Sequence, residues 1–359
     1  MIVSQNRSTR IRVEGRECLY FGGTNYLGLA HRPEIIEAMN QAFATYGLSS
    51  GASRLTSGET ELLISLETEL ADFASSESAL VLGAGFMTNQ AVVEALDDEI
   101  DGWLVSNLAH GSIKTALSQS LKPVTLYEAG REAEARESIA RDLRLGVFVE
   151  PIEPLTGSRA NLDALANTLT PADILILDEA HSLGVLGTEG QGAAGCFDRS
   201  AGELKVELIR TGTLSKAFGC YGGIILGSSL FISRVKALSP CYKSSTSLPP
   251  PLCAAARQAL LLVREKTTTV TPLQANIRSL NHRLAELGIE TYKNNSVPIY
   301  YLEDSPSVAR LRDQLLDRGI YIPLVTSYFA DYCHIGLRWT IQAGHSEDDL
   351  DFLVSQLII

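Results

Sequence analysis

Seven short, mainly apolar runs rich in β-branched residues set the frame for this chain: Ala79–Leu82, Trp103–Ser106, Pro123–Tyr127, Gly146–Val149, Ile174–Leu177, Val206–Arg210 and Gly223–Leu226. They are apolar on both faces and alternate with stretches of helical pattern. A strand of that kind is buried only if helices cover both sides of its sheet. The pattern therefore specifies an α/β fold with a mainly parallel seven-stranded sheet and helices on both faces. Such sheets bind ligands beyond the carboxyl ends of their strands. Functional residues are expected just after these runs.

The pattern changes at Leu248-Pro249-Pro250-Pro251, where three prolines forbid a continuous helix. A long helical stretch is expected over Leu252–Leu287. Strands are expected at Val297–Leu302, Ile320–Leu324 and Gly336–Ile341. A last helix opens at Ser346-Glu347-Asp348-Asp349, with Ser346 as its N-cap. This divides the 359 residues into an N-terminal segment (1–45), a large domain (46–270) and a smaller C-terminal α+β domain (271–359), against which the N-terminal segment packs.

Composition narrows the partners. Hydrophobic residues make up 45% of the chain and charged residues 20%, the profile of a folded protein. A net charge of −12 disfavours a nucleic-acid partner, which needs a basic surface. No apolar run approaches the roughly 18 residues of a membrane span. The first fifteen residues lack an apolar segment of signal-peptide length. The six cysteines are scattered without CxxC spacing, so neither a zinc site nor a disulfide framework is indicated. A cytoplasmic protein with reduced thiols is expected.

Three motifs lie where the sheet predicts chemistry. Asp178-Glu179-Ala180-His181 follows the run Ile174–Leu177. An acidic residue there can hold a cationic ring nitrogen or a metal. DEAH is also a nucleotide-hydrolase box, but that reading requires an upstream GxxxxGK[ST] loop, which the sequence lacks. An acidic helix cap is the plain alternative. Thr211-Gly212-Thr213-Leu214-Ser215-Lys216-Ala217-Phe218-Gly219 follows Val206–Arg210. A lysine among small and apolar neighbours is partly desolvated, which favours the neutral amine needed for Schiff-base chemistry. A lone lysine is more often a surface residue. Gly83-Ala84-Gly85-Phe86-Met87-Thr88-Asn89 opens a helix whose first N–H groups suit a phosphate, although a tight turn explains a glycine pair equally well. Together the motifs ask for one ligand with a phosphate, a basic ring nitrogen and a carbonyl that reacts with an amine. Pyridoxal 5′-phosphate (PLP) has all three.

With these residues in view, the chain resembles the α-oxoamine synthases, within the fold-type-I PLP transferases, over nearly its whole length. Asn25-Tyr26-Leu27-Gly28-Leu29 resembles the family's NYLGL segment, and Gly51-Ala52-Ser53-Arg54 with Gly58 its next glycine-rich stretch. Gly85-Phe86 with Asn89 matches the phosphate turn, and His110-Gly111-Ser112-Ile113 the HASI segment. Asp178 to Gly187 matches DEAHSxGVLG, Thr213 to Gly219 the lysine motif, and Ser245 to Pro250 STSLPP. Leu337-Arg338, with His345 downstream, matches the late arginine segment.

The resemblance implies a role at each position. Lys216 forms the Schiff base and acts as acid and base. Asp178 pairs with the pyridine nitrogen, His110 stacks on the ring and His181 bonds the ring hydroxyl oxygen. Thr213 and the Gly85 and Phe86 amides hold the phosphate. Ser245 and Thr246 reach the phosphate of a neighbouring subunit, so a homodimer with shared active sites is implied. Arg338 binds the amino-acid carboxylate and Asn25 lies near the substrate. The implied activity condenses an amino acid with an acyl thioester, carried by coenzyme A or an acyl carrier protein, with decarboxylation to an α-amino ketone. An aminotransferase on the same fold and a catalytically silent partner subunit are the alternatives. The chain departs from the family at Leu63, where a histidine is usual. It departs again at Pro154-Leu155-Thr156-Gly157-Ser158, where the usual segment resembles SMDGD, and at Ala84. Glu150, just upstream, still fits.

Overall fold

The computed structural model describes residues 2–196, 206–265, 270–289, 296–302, 308–325 and 336–357. Its strands are β1 (Val3–Asn6), β2 (Arg10–Val13), β3 (Arg16–Tyr20), β4 (Ser78–Leu82), β5 (Gly102–Ser106), β6 (Val124–Tyr127) and β7 (Leu145–Val149). They continue as β8 (Ile174–Asp178), β9 (Glu207–Thr213), β10 (Gly223–Gly227), β11 (Ile299–Leu302), β12 (Ile320–Tyr321), β13 (Leu324–Val325) and β14 (Gly336–Thr340).

All seven expected runs enter one sheet, in the order β4-β10-β9-β8-β7-β5-β6. Neighbours from β9 to β6 are parallel, and β10 runs antiparallel to both β9 and β4. The direction of β10 follows from its connection. Gly223 pairs directly with Thr213, so β9 and β10 form a hairpin whose loop carries Lys216. That loop closes on itself through Leu214 N to Gly222 O (2.9 Å) and Cys220 N to Leu214 O (2.8 Å). Gly219 sits in it at φ +62°, where a Cβ would lie 2.4 Å from the backbone nitrogen of Ala30.

The alternation within β8 shows why these strands read as apolar on both faces. Ile174 and Ile176 pack into one core layer, with Trp103, Phe148, Ile209 and Ile225. Leu175 and Leu177 pack into the other, with Leu104, Val147 and Leu226. Truncating such a residue to alanine costs about 2–5 kcal/mol.

Two smaller sheets complete the fold, in the orders β1-β2-β3-β12 and β11-β14-β13. The N-terminal strands thus join the C-terminal part of the chain, through Ile320 opposite Leu19 and Tyr321 opposite Tyr20. Arg10 adds an ion pair to Asp349 at 2.7 Å. The helix Pro33–Tyr46 packs instead against the helix Pro250–Arg264. The single strand expected over Ile320–Leu324 is two strands in two different sheets. Pro323 lies between them and has no N–H to continue a ladder. The helical stretch expected over Leu252–Leu287 contains the helices Pro250–Arg264 and Val270–Glu286; residues 266–269 lie outside the described residues, as does Cys333. Ser346 caps the last helix, Glu347–Leu357: its Oγ accepts from Asp349 N (3.2 Å) while Asp349 Oδ2 accepts from Ser346 N (3.0 Å).

Candidate active site

The carboxyl ends of β4, β5, β8 and β9 converge on a cavity of about 250 Å³. Gly85, Phe86, His110, Asp178, Thr213 and Lys216 line it. Six of the residues expected from sequence, spread over 132 positions from 85 to 216, are therefore brought together.

Asp178 is the last residue of β8 and only 7% exposed. Its Oδ2 accepts from Asn89 Nδ2 (2.8 Å) and its Oδ1 from Ala180 N (3.0 Å). Asn89 is held in turn by Thr211 Oγ1, which donates to its Oδ1 (2.8 Å), while its Nδ2 also donates to Ser112 Oγ (2.9 Å). These bonds fix the carboxylate in one orientation, as an aspartate facing a ring nitrogen requires. His110 caps the helix Gly111–Leu117, with Nδ1 2.8 Å from Ser112 Oγ. Its backbone N–H donates to Glu150 Oε2 (3.0 Å). Burial lowers the His110 pKa and raises that of Glu150 well above the carboxylate range; the nearby Asp178 charge raises Glu150 further.

Lys216 Nζ lies 2.9 Å from His181 Nε2. Burial brings the lysine down from 10.5 to about 8, against the opposing pull of Asp178 and Glu150, with Arg338 adding to the depression. At pH 7 about a tenth of Lys216 is thus neutral, far more than of an ordinary lysine. Burial also holds His181 well below its ordinary value, reinforced by Lys216, Arg338 and His110, so its ring is neutral.

At the other end of the cavity, Gly85 begins the helix Phe86–Leu96 with no side chain capping its first N–H groups. Gly85 has φ −59°, so it is needed for space and not for its conformation. A Cβ there would lie 2.8 Å from Thr213 Cβ and 2.9 Å from its Oγ1. Thr213 Oγ1 lies 2.8 Å from Ser215 Oγ and donates to Gly222 O (3.0 Å). Open helix N–H groups beside two hydroxyls suit a phosphate.

Arg338, in β14, is 8% exposed and donates from Nε to Pro154 O (2.7 Å), while its buried Nη2 has no hydrogen-bond partner among the described residues. An unpaired guanidinium nitrogen asks for an acceptor such as a carboxylate. The Pro154 carbonyl comes from the segment that departs from the family. Neither His181 nor Arg338 is among the residues lining the cavity, and Ser245 and Thr246 do not line it. Ser245 Oγ donates to Cys241 O, and Thr246 is exposed and bridges Ser53. Asn25 does not line it either: its Oδ1 accepts from Ala30 N (3.2 Å) and its Nδ2 donates to Ser8 Oγ (3.3 Å). Its neighbour Tyr26 instead reaches His181, with its hydroxyl 2.7 Å from Nδ1. Tyr26 lies inside the NYLGL-like segment, and nothing in the sequence marks it for this contact. Ser215 and the half-exposed Tyr221 also line the cavity and were passed over, the only signal being their closeness to Lys216. Leu63 is fully buried in the core. Among the described residues no cluster of three His, Cys, Asp or Glu is placed to hold a metal.

A parallel sheet with a lysine hairpin, a carboxylate at a strand end and a bare helix start defines a PLP-transferase type of fold. A serine palmitoyltransferase variant from S. paucimobilis with bound PLP–myriocin aldimine superposes with TM-score 0.89, at 22% identity over 99% of this chain and 90% of that one. The 8-amino-7-oxononanoate synthase structure from Francisella tularensis gives 0.80, at 24% identity over 95% and 96%. The family model of aminotransferase class I and II matches residues 16–357. Among sequence relatives, the 8-amino-7-oxononanoate synthase of Hahella chejuensis is 32% identical, covering 99% of this chain and 90% of that one. That of Beijerinckia indica is 33% identical, covering 95% and 87%. The chain belongs to the aminotransferase class I and II family and, within it, to the acyl-condensing α-oxoamine synthases.

Proposed function

We propose that this chain binds PLP on Lys216 and condenses an amino acid with an acyl thioester to give an α-amino ketone, thiol and carbon dioxide. One observation carries the reading: an amine depressed to about 8 faces the same cavity as an oriented buried carboxylate and an uncapped helix start. When bound, the cofactor supplies an electron-withdrawing ring that stabilises negative charge at the amino acid's α-carbon. Asp178 holds the ring nitrogen protonated, His110 covers the ring face and His181 Nε2 meets the ring oxygen. Thr213 and the first N–H groups at Gly85 and Phe86 hold the phosphate.

Arg338 binds the carboxylate of the amino acid. Lys216 Nζ, released as a free amine when the substrate's amino group takes its place, takes the α-proton; the α-carbon forms a bond to the thioester carbonyl and the thiolate departs. The carboxylate then leaves as carbon dioxide, and Lys216 returns a proton to the α-carbon. The segment 1–45 and the domain 271–359 close over the cavity and exclude water, so the proton goes back to carbon. Ser245 and Thr246 act across a homodimer, in keeping with their lying off the cavity of their own chain. We place the activity in the cytoplasm, in keeping with the free thiols of Cys18, Cys220, Cys241 and Cys253.

The test begins with the visible absorption of purified protein given PLP, which is expected in the native chain and absent in Lys216→Ala. Amino acids are then added singly, and acyl thioesters with each that perturbs the band. Thiol release with an amino ketone product supports the synthase. A keto acid formed without thioester consumption identifies an aminotransferase, and no band at all identifies a silent subunit.

A further inference from the structure

The hydrogen-bond chain that begins at Lys216 does not end at His181. Tyr26 is fully buried, and its hydroxyl lies 2.7 Å from His181 Nδ1, on the far side of the ring from Lys216. His181 is neutral, so one ring nitrogen carries hydrogen and the other accepts. A phenol is a stronger acid than an imidazole N–H. Tyr26 therefore donates to Nδ1, and the ring hydrogen sits on Nε2, where it faces Lys216 Nζ and meets that amine in its neutral form.

Tyr26 is also fastened from behind. Its carbonyl accepts from Ala343 N (2.8 Å). Upstream, Phe21 O accepts from Thr340 N (3.1 Å) and Gly23 O from Thr340 Oγ1 (2.9 Å). Thr340 ends β14, the strand that holds Arg338 two residues earlier. One segment, Phe21–Tyr26, thus touches both the strand that offers the free guanidinium nitrogen and the histidine against Lys216.

We propose that Tyr26 is a positioning residue for the reaction inferred above: its hydroxyl fixes the His181 tautomer that turns Nε2–H toward Lys216, and the segment Phe21–Tyr26, through Phe21 and Gly23, ties that tautomer to the strand bearing Arg338. With Nε2–H in place, His181 donates to an oxygen anion entering the cavity. With the other tautomer, it presents a lone pair to that anion and repels it. The proposal rests on Lys216 carrying the cofactor. The charged and titratable groups facing Lys216 are Asp178, Glu150, Arg338, His110 and His181, and Tyr26 touches this set at His181.

The experiment uses cofactor-loaded full-length protein labelled with 15N-histidine. Two-bond nitrogen–proton correlations report which ring nitrogen is protonated; the chain has six histidines, and His181→Gln assigns the one of interest. The native protein is expected to show Nε2–H, and Tyr26→Phe to show a mixed or Nδ1–H pattern. The same variant is expected to lose about tenfold in α-hydrogen exchange in D2O, the worth of one hydrogen bond. The exchange substrate is whichever of glycine, L-alanine and L-serine perturbs the visible band. Its KM is expected to change less than twofold, whereas loosened packing alone would raise KM and leave the tautomer untouched. 3-Fluorotyrosine at position 26 keeps the shape and the donor, and is expected to retain Nε2–H and near-native exchange, which covers a Tyr26→Phe chain that fails to fold. An unchanged tautomer in Tyr26→Phe with the visible band present overturns the role of Tyr26 and leaves Lys216 standing. A native protein without the band overturns both.

Discussion

Arg210 Nε lies 2.8 Å from Glu179 Oε2, in an ion pair whose side chains are 4% and 1% exposed. The pair clamps the strand leading to Lys216 onto the turn that follows Asp178. Glu179 also accepts from Ala193 N (2.6 Å) and Ala194 N (3.1 Å), and Arg210 donates to Ala74 O (2.7 Å). The glutamate of the DEAH sequence is thus a structural brace and does not reach the cavity. Glu179→Ala leaves a buried, uncompensated guanidinium and is expected to destabilise the fold by about 3–5 kcal/mol. Urea denaturation checks it; a loss under 1 kcal/mol would mean that water or another group takes over the arginine.

Lys216 makes the cofactor-free protein less stable than it need be. Its folded pKa, about 8, is below the ordinary 10.5, so between these values the unfolded chain holds the extra proton. Stability therefore rises with pH across that window, and the full penalty is present below about pH 8. Lys216→Met, similar in shape and without the amine, is expected to be more stable than the native chain at pH 7 and to lose that advantage by pH 10.5. Thermal unfolding at the two pH values decides it. An advantage that does not depend on pH would point to packing and not to the buried charge.

How far the sequence reached follows from which physical signals are local. The sheet strands are legible because apolar runs buried on two faces leave a pattern that needs no knowledge of neighbours, and the edge strand β6 carries the same apolar run although Val124, Thr125 and Leu126 are exposed. The cavity followed from strand polarity and the residues after each run. What stayed hidden depends on contacts between distant segments. Asn25 and Tyr26 are adjacent, and nothing local says that the tyrosine turns to His181, 155 positions away. Pro154 stands in the sequence only as a departure from the family's segment, whereas in the fold its carbonyl receives Arg338 Nε. The split of Ile320–Leu324 was readable in principle, because Pro323 forbids a continuous ladder.

Arg338 divides its donors between structure and vacancy. Its Nε is committed to Pro154 O, and Nη2, without a partner among the described residues, is the group available to an anion. Lysine cannot serve both, since its ammonium is a single point on a flexible stem. Arg338→Lys is therefore expected to raise the KM for the amino acid about ten- to a hundredfold, the worth of a hydrogen bond to a charged group. Cofactor affinity is expected to change little. Steady-state kinetics against PLP titration separates the two; an unchanged KM would remove Arg338 from substrate binding.

His345 joins the termini through a neutral ring. Its Nδ1 accepts from Gln342 N (3.0 Å), its Nε2 donates to Tyr20 O (3.0 Å), and the ring stacks on Phe21 at 4.3 Å. Burial lowers its pKa from 6.5 to about 4, although the Tyr20 carbonyl and Asp349 pull the other way. Between pH 6.5 and 4 the unfolded chain binds a proton that the folded chain refuses, so stability falls as pH falls through that window. One such histidine contributes about 1.4 kcal/mol per pH unit at its middle. His110 and His181, also lowered, act in the same direction, so the native slope alone identifies none of them. The difference between the native chain and His345→Gln isolates one proton. The variant is expected to be less stable at pH 7.5, having lost the ring's two bonds and its stack, and to lose stability less steeply toward pH 5. Denaturation curves at pH 7.5, 6.5, 5.5 and 5 give both quantities. Parallel pH profiles for the two proteins would show that the folded chain accepts a proton at His345, breaking the bond to Gln342 N and loosening the seam between the N-terminal strands and the last helix.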